Sequence, residues 1–224
     1  MAKPKKETAR IVGIVQVKGG AGRSTVATNI AGELSTIGRT VLIDCDMPQG
    51  TAASWVAVRQ QAVEPDLFGG VQGDTAASHR ELLDKVERWR GEAEYIVLDG
   101  PPRIAELTRA ILVLSDLALV PVGASVAELW ATGDLVEIVR QAREVRPVDV
   151  RIVWTRFRGY TRLAQDLAAQ AKRELGVPIL KTAMGLRVAY VEALGTGRTA
   201  AELSDPASRQ ELRDLIGEIR RIIR

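Results

Sequence analysis

Short apolar runs alternate along the chain with longer segments whose apolar residues recur at helical spacing. The runs that predict buried strands lie at 11–17, 40–45, 95–98, 117–122 and 150–154, with a shorter one at 177–180. The segments that predict helices lie at 24–37, 77–90, 105–114, 127–145, 161–175 and 206–223. Strands that alternate with helices in this way are typical of a parallel sheet covered on both faces. The pattern therefore predicts an α/β fold, with a mostly parallel, twisted sheet and helices on both faces.

The last of these helices carries an apolar stripe beside several arginines. The stripe consists of Leu212, Leu215, Ile216, Ile219, Ile222 and Ile223. A helix of this kind either lies on a membrane surface or packs its stripe into the core. Core packing is the more common outcome, so we expect no membrane partner.

Composition sets further bounds on the class of protein. The chain has 224 residues, of which 46% are hydrophobic, and it contains no Pro/Gly/Ser-rich linker. That content is enough for one sizeable core, so we expect a single domain at 11–224 after a basic, flexible tail at 1–10. Cys45 is the only cysteine, which excludes a disulfide framework. No apolar run approaches the roughly 18 residues of a membrane span. We therefore expect a soluble, cytoplasmic protein.

The net charge of +3 is unevenly distributed. Residues 139–224 hold 17 Lys and Arg against 10 Asp and Glu, whereas residues 1–138 hold 14 against 18. A basic face attracts nucleic acid through its phosphates and therefore without sequence specificity. The alternative is an arginine-rich surface that is only solvated. We favour non-specific DNA as a partner, which would place the protein on the nucleoid.

The segment 18–25, K-G-G-A-G-R-S-T, follows the first apolar run and precedes the first helical segment. A strand that turns through glycines into a helix leaves several backbone N–H groups unpaired, and it directs the positive end of the helix dipole at the turn. Gly19, Gly20, Ala21 and Gly22 also let a ligand approach the backbone closely, because none has a large side chain. The segment therefore predicts a binding site for a polyphosphate.

Two further stretches place carboxylates at the ends of apolar strands, where an α/β sheet normally binds its ligands. Asp44 and Asp46 lie at the end of the second run, and Asp99 follows the third. Paired carboxylates at a strand end either cap a turn or hold a metal. Facing a polyphosphate, they would repel it unless a cation lay between them. We favour a bound metal, Mg²⁺, over the capped turn.

Together, these three stretches resemble the ParA/MinD family of deviant Walker A ATPases. Residues 18–25 are similar to the family pattern K-G-G-x-G-K-[ST]-T. Residues 44–50 are similar to its D-x-D-P-Q-G segment with one methionine inserted, and residues 99–102 to its Walker B aspartate and D-x-P-P switch. The similarity continues through 155–156 and 182–190, so it covers nearly the whole chain. It is closest to the short plasmid-partition ATPases of the ParF kind, and it implies a P-loop ATPase fold.

The resemblance also implies roles for single residues. Ser24 and Asp99 match the groups that hold Mg²⁺. Asp44 matches a carboxylate near the metal, and Asp46 matches the residue that orients the attacking water. Lys18 matches the signature lysine, which crosses a dimer interface and touches phosphates bound by the partner subunit. ATP would then join two copies of the chain.

Other positions match the nucleotide contacts of the family. The phosphate contacts would come from Lys18, Gly19, Gly20, Ala21, Gly22, Arg23, Ser24 and Thr25. Thr155 and Arg156 match a position near the adenine. Residues 185–187 and Tyr190 follow a segment that usually closes over the base.

Arg23 stands where both the ordinary Walker pattern and the family pattern have lysine. Arginine keeps the positive charge but replaces a compact ammonium with a wide planar fork, so it cannot occupy the same slot with unchanged geometry. A misplacement of about 1 Å can cost on the order of a hundredfold in rate, whereas binding that is spread over several amides loses less. We therefore expect Arg23 to occupy a catalytic position. The protein should retain ATP binding but hydrolyse ATP more slowly.

The resemblance implies a partition ATPase. ATP would drive a sandwich dimer that binds DNA non-specifically and segregates a plasmid or chromosome centromere complex, and a ParB-like partner would stimulate hydrolysis. One alternative is a positioning ATPase for a protein cargo with its own adaptor. Another is a nucleotide-dependent binding module with little hydrolysis, which Arg23 favours. A metabolic ATP-dependent enzyme is a third, but no second group of catalytic residues supports it and Lys18 argues against it.

Overall fold

The computed structural model describes residues 9–62, 70–103, 105–123, 125–130, 132–158, 166–167, 169–171, 173 and 176–224. Its strands are β1 Arg10–Ile14, β2 Thr40–Asp44, β3 Val71–Thr75, β4 Tyr95–Asp99, β5 Leu117–Gly123 and β6 Asp149–Thr155. They form one sheet in the order β3-β2-β4-β1-β5-β6, and every neighbouring pair is parallel. The predicted parallel α/β sheet is confirmed.

Helices cover both faces of this sheet. They are α1 Arg23–Ser35, α2 Thr51–Ala62, α3 His79–Arg90, α4 Ala105–Leu114, α5 Val126–Trp130, α6 Gly133–Val145, α7 Val188–Thr196 and α8 Pro206–Ile222, with a 3₁₀ turn at Ala200–Glu202. One apolar cluster joins α3, α4 and α6 to one face, and a second joins α1, α2, α7 and α8 to the other. The core therefore lies in two layers with the sheet between them.

The register of the sheet brings the motif-bearing strand ends together. Asp99 at the end of β4 pairs with Ile14 on one side and with Asp44 on the other. Further along the same edge, Gly123 of β5 pairs with Thr155 of β6. Since all these strands are parallel, the loops that follow them meet at one edge of the sheet.

Three elements, β3, α2 and α7, are absent from the sequence-based prediction. Among the described strands, β3 lies at the edge of the sheet and pairs only with β2, and of its five residues only Val71 is buried. A strand covered on so little of its surface needs no apolar run, so it leaves no such signal. In α2 the buried positions include Ala52, Trp55 and Arg59, a mixture without a clear apolar stripe.

Three predicted elements differ from the structure. The run 177–180 forms only an isolated bridge, in which Ile152 pairs with Ile179. Pro178 lies inside it and lacks the N–H that a longer ladder needs. The predicted helix 127–145 is two helices, α5 and α6, and most of the predicted helix 161–175 lies outside the described residues.

The apolar stripe of the last helix packs into the core, as predicted. Leu212, Leu215 and Ile219 of α8 are fully buried in the cluster that also holds α1. The helix begins with Pro206 after Asp205, whose side chain accepts a hydrogen bond from the N–H of Ala207. Within the described residues, no helix combines the length and apolar character needed to cross a membrane.

Candidate active site

The phosphate loop, defined here as residues 16–25, joins β1 to the first turn of α1. Gly20 and Gly22 have φ values of +74° and +91°, in the left-handed region that favours glycine. Gly22 is the N-cap of α1, which has no side-chain cap and no acidic residue in its first turn. The backbone N–H groups of residues 19–25 donate to no other described residue. An uncapped helix N-terminus with this many free donors is a binding site for an anion.

The carbonyl groups of the phosphate loop are held by side chains that are distant in sequence. Arg23 donates to the carbonyl oxygens of Gln16 and Lys18. Arg156 donates to the carbonyl oxygen of Gly20 at 3.0 Å, and the Thr155 hydroxyl donates to that of Ala21 at 3.2 Å. Because these carbonyls have partners, the loop keeps a shape in which its N–H groups remain available. This pre-organisation lowers the cost of ordering the loop around a ligand.

The Arg23 guanidinium is buried, with 7% of its side chain exposed, and it bridges three loops. Its Nε donates to the carbonyl oxygen of Gly100 at 2.8 Å, and its Nη1 donates to those of Gln16 at 2.9 Å and Lys18 at 2.7 Å. Its Nη2 lies 3.4 Å from the Asp46 carboxylate. Arginine therefore ties together the three stretches that carry the family motifs. No local sequence pattern indicates these contacts.

Asp99 ends β4 and is completely buried. Neither of its carboxylate oxygens has a hydrogen-bond partner in the part of the chain that the structure describes. Burial is the main reason that the pKa of Asp99 is raised to about 7, and the charge on Asp44 acts in the same direction, while Ser24 and Arg23 lower this pKa. A buried carboxylate without a partner is costly unless a cation joins it. The donor set of Asp99 and the Ser24 hydroxyl fits Mg²⁺.

Asp44 occupies the matching end of β2, but its oxygens have partners. One accepts a hydrogen bond from the N–H of Asp46 and the other from the N–H of Ala53, both at 2.9 Å. Ala53 lies in the first turn of α2, so Asp44 caps that helix from the preceding strand. Burial, more than any other effect, raises the pKa of Asp44. These contacts favour the capped turn for Asp44, while its role near a metal stays a prediction.

The carboxylates do not form a complete metal cage. Among the described residues, no group of three or more His, Cys, Asp or Glu side chains could hold a metal ion. Mg²⁺ is commonly held by one or two carboxylates together with phosphate oxygens and water. The arrangement around Asp99 therefore fits a metal that arrives with a polyphosphate.

A cavity of about 210 Å³ lies beside the phosphate loop and corresponds to the predicted base-binding end. Gly20, Thr155 and Arg156 line it on one side, and the segment 184–187 with Tyr190 lines it on the other. The structure therefore brings together the residues predicted to lie near the adenine. Their roles in binding stay predictions.

Glu211 of α8 holds the far wall of this cavity in place. Its carboxylate accepts hydrogen bonds from the N–H of Gly185 at 3.0 Å, from the Arg187 guanidinium at 2.7 Å and from the Tyr190 hydroxyl at 2.8 Å. Burial, followed by the charge of Glu211, raises the pKa of Tyr190. The sequence analysis missed Glu211, because a single glutamate on a helix has no distinguishing pattern.

Arg156 connects the phosphate loop to α5. Its φ of +51° is unusual for a residue other than glycine, and its Nη2 lies 2.6 Å from Glu128. The Glu128 carboxylate also accepts a hydrogen bond from the N–H of Gly123 at 2.7 Å. The same arginine donates to Gly20, as described above. Glu128 is thus a second positioning residue that the sequence analysis missed.

Lys18 lies at the entrance of the phosphate loop and is partly exposed. No hydrogen bond or ion pair links its ammonium to another described residue, although its carbonyl accepts from Arg23. Two exposed apolar side chains, those of Leu186 and Val191, line the cavity beside the phosphate loop. An ammonium without a partner among the described residues is available for contact with a second molecule.

The chain is similar to known proteins in sequence and in fold. Residues 12–200 match the family described as CobQ/CobB/MinD/ParA nucleotide binding domain. The chain is 26% identical over 213 residues to maintenance of carboxysome distribution protein A of Halothiobacillus neapolitanus, covering 92% of this chain and 94% of that protein. It is 28% identical over 225 residues to chromosome-partitioning ATPase Soj of Thermus thermophilus, covering 86% of this chain and 88% of Soj.

The fold is also similar to that of a solved structure, a variant of McdA from Cyanothece in complex with ATP. The TM-score is 0.77 at 16% identity, and the alignment covers 95% of this chain and 96% of the McdA chain. At this identity the similarity supports the fold alone. It is consistent with the parallel α/β sheet.

Proposed function

Because the chain belongs to the CobQ/CobB/MinD/ParA family of nucleotide-binding domains and is a ParA/MinD-type ATPase, we propose that it is an ATP-driven switch that partitions DNA or positions a cargo. The observation that carries this proposal is the juxtaposition of two groups. The phosphate loop offers unpaired N–H donors, and the unpartnered Asp99 carboxylate lies at the same edge of the sheet. The first group suits an anion and the second suits a cation, as a metal nucleotide requires.

The residues of the chain divide the work of ATP hydrolysis in this proposal. The amides of 19–25 bind the phosphates, and the Ser24 hydroxyl and Asp99 would hold Mg²⁺. When bound, Mg²⁺ neutralises charge on the β- and γ-phosphates. Asp46 orients the attacking water, and Thr155 and Arg156 lie against the base. We treat residues 11–224 as one ATPase domain and 1–10 as a basic tail.

Lys18 would act between subunits in this proposal. Its ammonium has no partner among the described residues, which leaves it available for phosphates bound by a second copy of the chain. ATP would then hold a homodimer together.

The first test is the oligomeric mass of the protein without nucleotide, with ADP, and with ATP plus Mg²⁺. We expect a dimer only with ATP and Mg²⁺. Lys18→Ala should remain a folded monomer under all three conditions, whereas Lys181→Ala, which changes an exposed lysine outside the site, should dimerise like the unmodified protein. A mass that ignores nucleotide would contradict the switch.

Non-specific DNA is the proposed partner of the dimer, and the exposed side of α8 supports this. Four of its arginines, and one that follows it, point away from the buried stripe and are exposed: Arg209, Arg213, Arg220 and Arg221, with Arg224. Two acidic residues of the same helix already have partners, since Glu218 accepts from the N–H groups of Lys181 and Thr182, and Glu211 holds the wall of the cavity. The surface is therefore more basic in effect than its composition indicates.

Binding to duplex DNA of arbitrary sequence tests this assignment. We expect binding that requires ATP and weakens steeply with salt. Replacing Arg213, Arg220 and Arg224 with alanine should reduce binding and the salt dependence together. Replacing Arg140 and Arg143 of α6, which packs on the opposite face of the sheet, is the matched control. Dimerisation without any DNA binding would favour cargo positioning without the nucleoid, or a metabolic role.

The cargo would be selected by an adaptor protein. A ParB-like centromere-binding protein would make this a plasmid or chromosome partition ATPase, and a different adaptor would make it a positioning ATPase for a protein cargo. The relatives named above include both kinds. The proposed location is the cytoplasm, on the nucleoid.

Slow turnover is a further part of the proposal. The guanidinium of Arg23 is already engaged by carbonyl groups of two loops, so it is less free than a lysine to follow the phosphates. A nucleotide-dependent binding module that scarcely hydrolyses ATP is therefore the second candidate. We expect Arg23→Lys to raise phosphate release, measured with ATP and Mg²⁺, and no gain would count against this interpretation.

A further inference from the structure

The contacts of Arg23 are of two kinds. Three of them are short, 2.7–2.9 Å, and go to the backbone carbonyls of Gln16, Lys18 and Gly100. The fourth is longer, 3.4 Å, and goes to a side chain, the Asp46 carboxylate. Carbonyl groups of the backbone move only with their loops, whereas a carboxylate moves by rotation of its side chain. Asp46 is thus the acceptor that can leave most readily.

Asp46 in turn depends on Arg23. Its side chain is 18% exposed, and its carboxylate has no other hydrogen-bond or ion-pair partner among the described residues. Its backbone is fixed separately, because its carbonyl accepts from the N–H of Gly50 and its N–H donates to Asp44. A single donor therefore determines where the Asp46 carboxylate lies.

The short contacts determine the plane of the guanidinium. They use Nε and Nη1, so Nη2 is left to face Asp46. A guanidinium is planar and rigid, so Nη2 cannot move while Nε and Nη1 stay bound. Arg23 is the first residue of α1, so its side chain begins at the helix terminus that suits an anion. Of the three guanidinium nitrogens, Nη2 makes the longest contact, so it can exchange its acceptor most readily.

We propose that Nη2 of Arg23 is a shared donor, which holds the Asp46 carboxylate when the site is free and binds an oxygen of the polyphosphate when the site is loaded. Arg23 is then a positioning residue for Asp46, and loading releases Asp46 for its work on water. This inference rests on the proposed function. It also explains how an arginine can function at this position, since the guanidinium has enough N–H donors to bind the loop carbonyls and the ligand at the same time.

Competition for one donor has a measurable consequence. Asp46 and the nucleotide would exclude each other at Nη2, so removing the Asp46 carboxylate should tighten nucleotide binding. Simple repulsion between Asp46 and the phosphates predicts tightening as well. The two explanations differ when Arg23 is also removed. Without Nη2 there is no donor to compete for, so removing the Asp46 carboxylate should no longer tighten binding. Repulsion between Asp46 and the phosphates, in contrast, becomes stronger because the intervening cation is gone.

The experiment is a double-mutant cycle on the affinity for fluorescent ADP and for a fluorescent, slowly hydrolysed ATP analogue, both with Mg²⁺. The proteins are the unmodified chain, Asp46→Ala, Arg23→Gln and the double variant. We expect Asp46→Ala to tighten binding about fivefold in the presence of Arg23. In the Arg23→Gln background we expect a change of less than about twofold. An equal or larger gain in that background overturns the shared donor.

Controls keep the outcome interpretable. Glu144→Gln, which changes an exposed acid of α6 whose ion pair among the described residues is with Arg140, should leave the affinity unchanged. If Arg23→Gln does not fold, Arg23→Lys replaces it, because lysine keeps the positive charge but has no second terminal nitrogen equivalent to Nη2. The gain from Asp46→Ala should then also fall below about twofold, and a full fivefold gain overturns the proposal. If the unmodified chain binds neither nucleotide, the proposed function itself fails; if it binds and the effects are additive, only the shared donor fails.

Discussion

The ends of β2 and β4 hold two aspartates in matching positions with opposite surroundings. Asp44 and Asp99 are paired in the parallel register, and both are completely buried. Both oxygens of Asp44 accept backbone N–H groups, whereas neither oxygen of Asp99 has a partner among the described residues. The difference comes from the chain that follows. After β2 it folds back into α2, whose first turn supplies a donor, and after β4 it continues through Gly100 and two prolines, which supply none.

Position at a strand end therefore does not decide what a carboxylate does. Both carboxylate oxygens of Asp44 accept hydrogen bonds that fix the loop carrying Asp46. The buried Asp99 carboxylate has no hydrogen-bond partner among the described residues, which lowers the stability of the fold. Such a loss of stability is typical of a residue that binds a ligand. The comparison favours a structural role for Asp44, while a chemical role for Asp99 stays a prediction that substitutions at the two positions can test.

The largest expected effect is on hydrolysis in Asp99→Asn. Removing the charged metal ligand should lower phosphate release from ATP by at least about a hundredfold, because charge on the phosphates is no longer balanced. Nucleotide binding without Mg²⁺ should persist, since the amides of the phosphate loop are unchanged. Asp44→Asn is the matched control. Equal losses in the two variants would erase the distinction between the acids.

The next effect concerns stability and pH in the absence of nucleotide and metal. The pKa of Asp99 is raised from 3.8 to about 7, so between these values the folded protein binds a proton that the unfolded chain does not. The contribution of Asp99 to the free energy of unfolding therefore falls as the pH rises through this window. Asp99→Asn should be more stable than the unmodified protein by roughly 4 kcal/mol near pH 8 and nearly equal to it near pH 4.

Urea unfolding of the two proteins across this pH range measures that difference. A constant difference at all pH values would show that Asp99 titrates alike in the folded and unfolded chains. In that case the absence of partners around Asp99 would carry no energetic cost, and the contrast with Asp44 would weaken.

A smaller effect of opposite sign is expected for Asp44→Ala. The variant loses two hydrogen bonds from backbone N–H groups and the cap of α2, so the free energy of unfolding should fall by about 2 kcal/mol. Asp99→Ala, measured at neutral pH in the same way, should show no such loss. If Asp44→Ala left stability unchanged, the capping role would be wrong.

The smallest expected effect is on the magnesium requirement of Asp44→Asn. An asparagine still accepts one of the two N–H groups, so the loop should keep its shape. The Mg²⁺ concentration that gives half-maximal phosphate release should change by less than about twofold. A tenfold increase in this Mg²⁺ concentration would instead indicate that Asp44 contributes to metal binding, as the sequence predicts.

Much of the fold and the frame of the site could be predicted from the sequence. The alternation of apolar runs and helical segments predicted the parallel sheet, and the glycine-rich segment 18–25 predicted a loop with free N–H donors. The prediction failed for β3, which is polar because it lies at the sheet edge, and for the run 177–180, where Pro178 limits pairing to one bridge. In these places the number of covered faces or a single missing donor outweighed the local pattern.

The partners of the site residues could not be predicted in the same way. Arg23 reaches Gly100 over 77 residues of sequence, and Arg156 reaches Gly20 over 136. Glu128 and Glu211 support the site from helices on which nothing distinguishes them from solvated glutamates. Such contacts depend on which strand neighbours which, and no short pattern contains that information.

The sequence by itself determined the order of the elements, the position of the phosphate loop and the set of acids at the strand ends. These follow from glycine spacing, apolar periodicity and charge, which act between residues that are close along the chain. Only the tertiary structure decided that Asp44 caps a helix while Asp99 has no hydrogen-bond partner in the described part of the chain, and that one arginine holds three loops together. The reason is that hydrogen-bond partners are assigned by the register of a parallel sheet, which brings together groups that the chain itself keeps far apart.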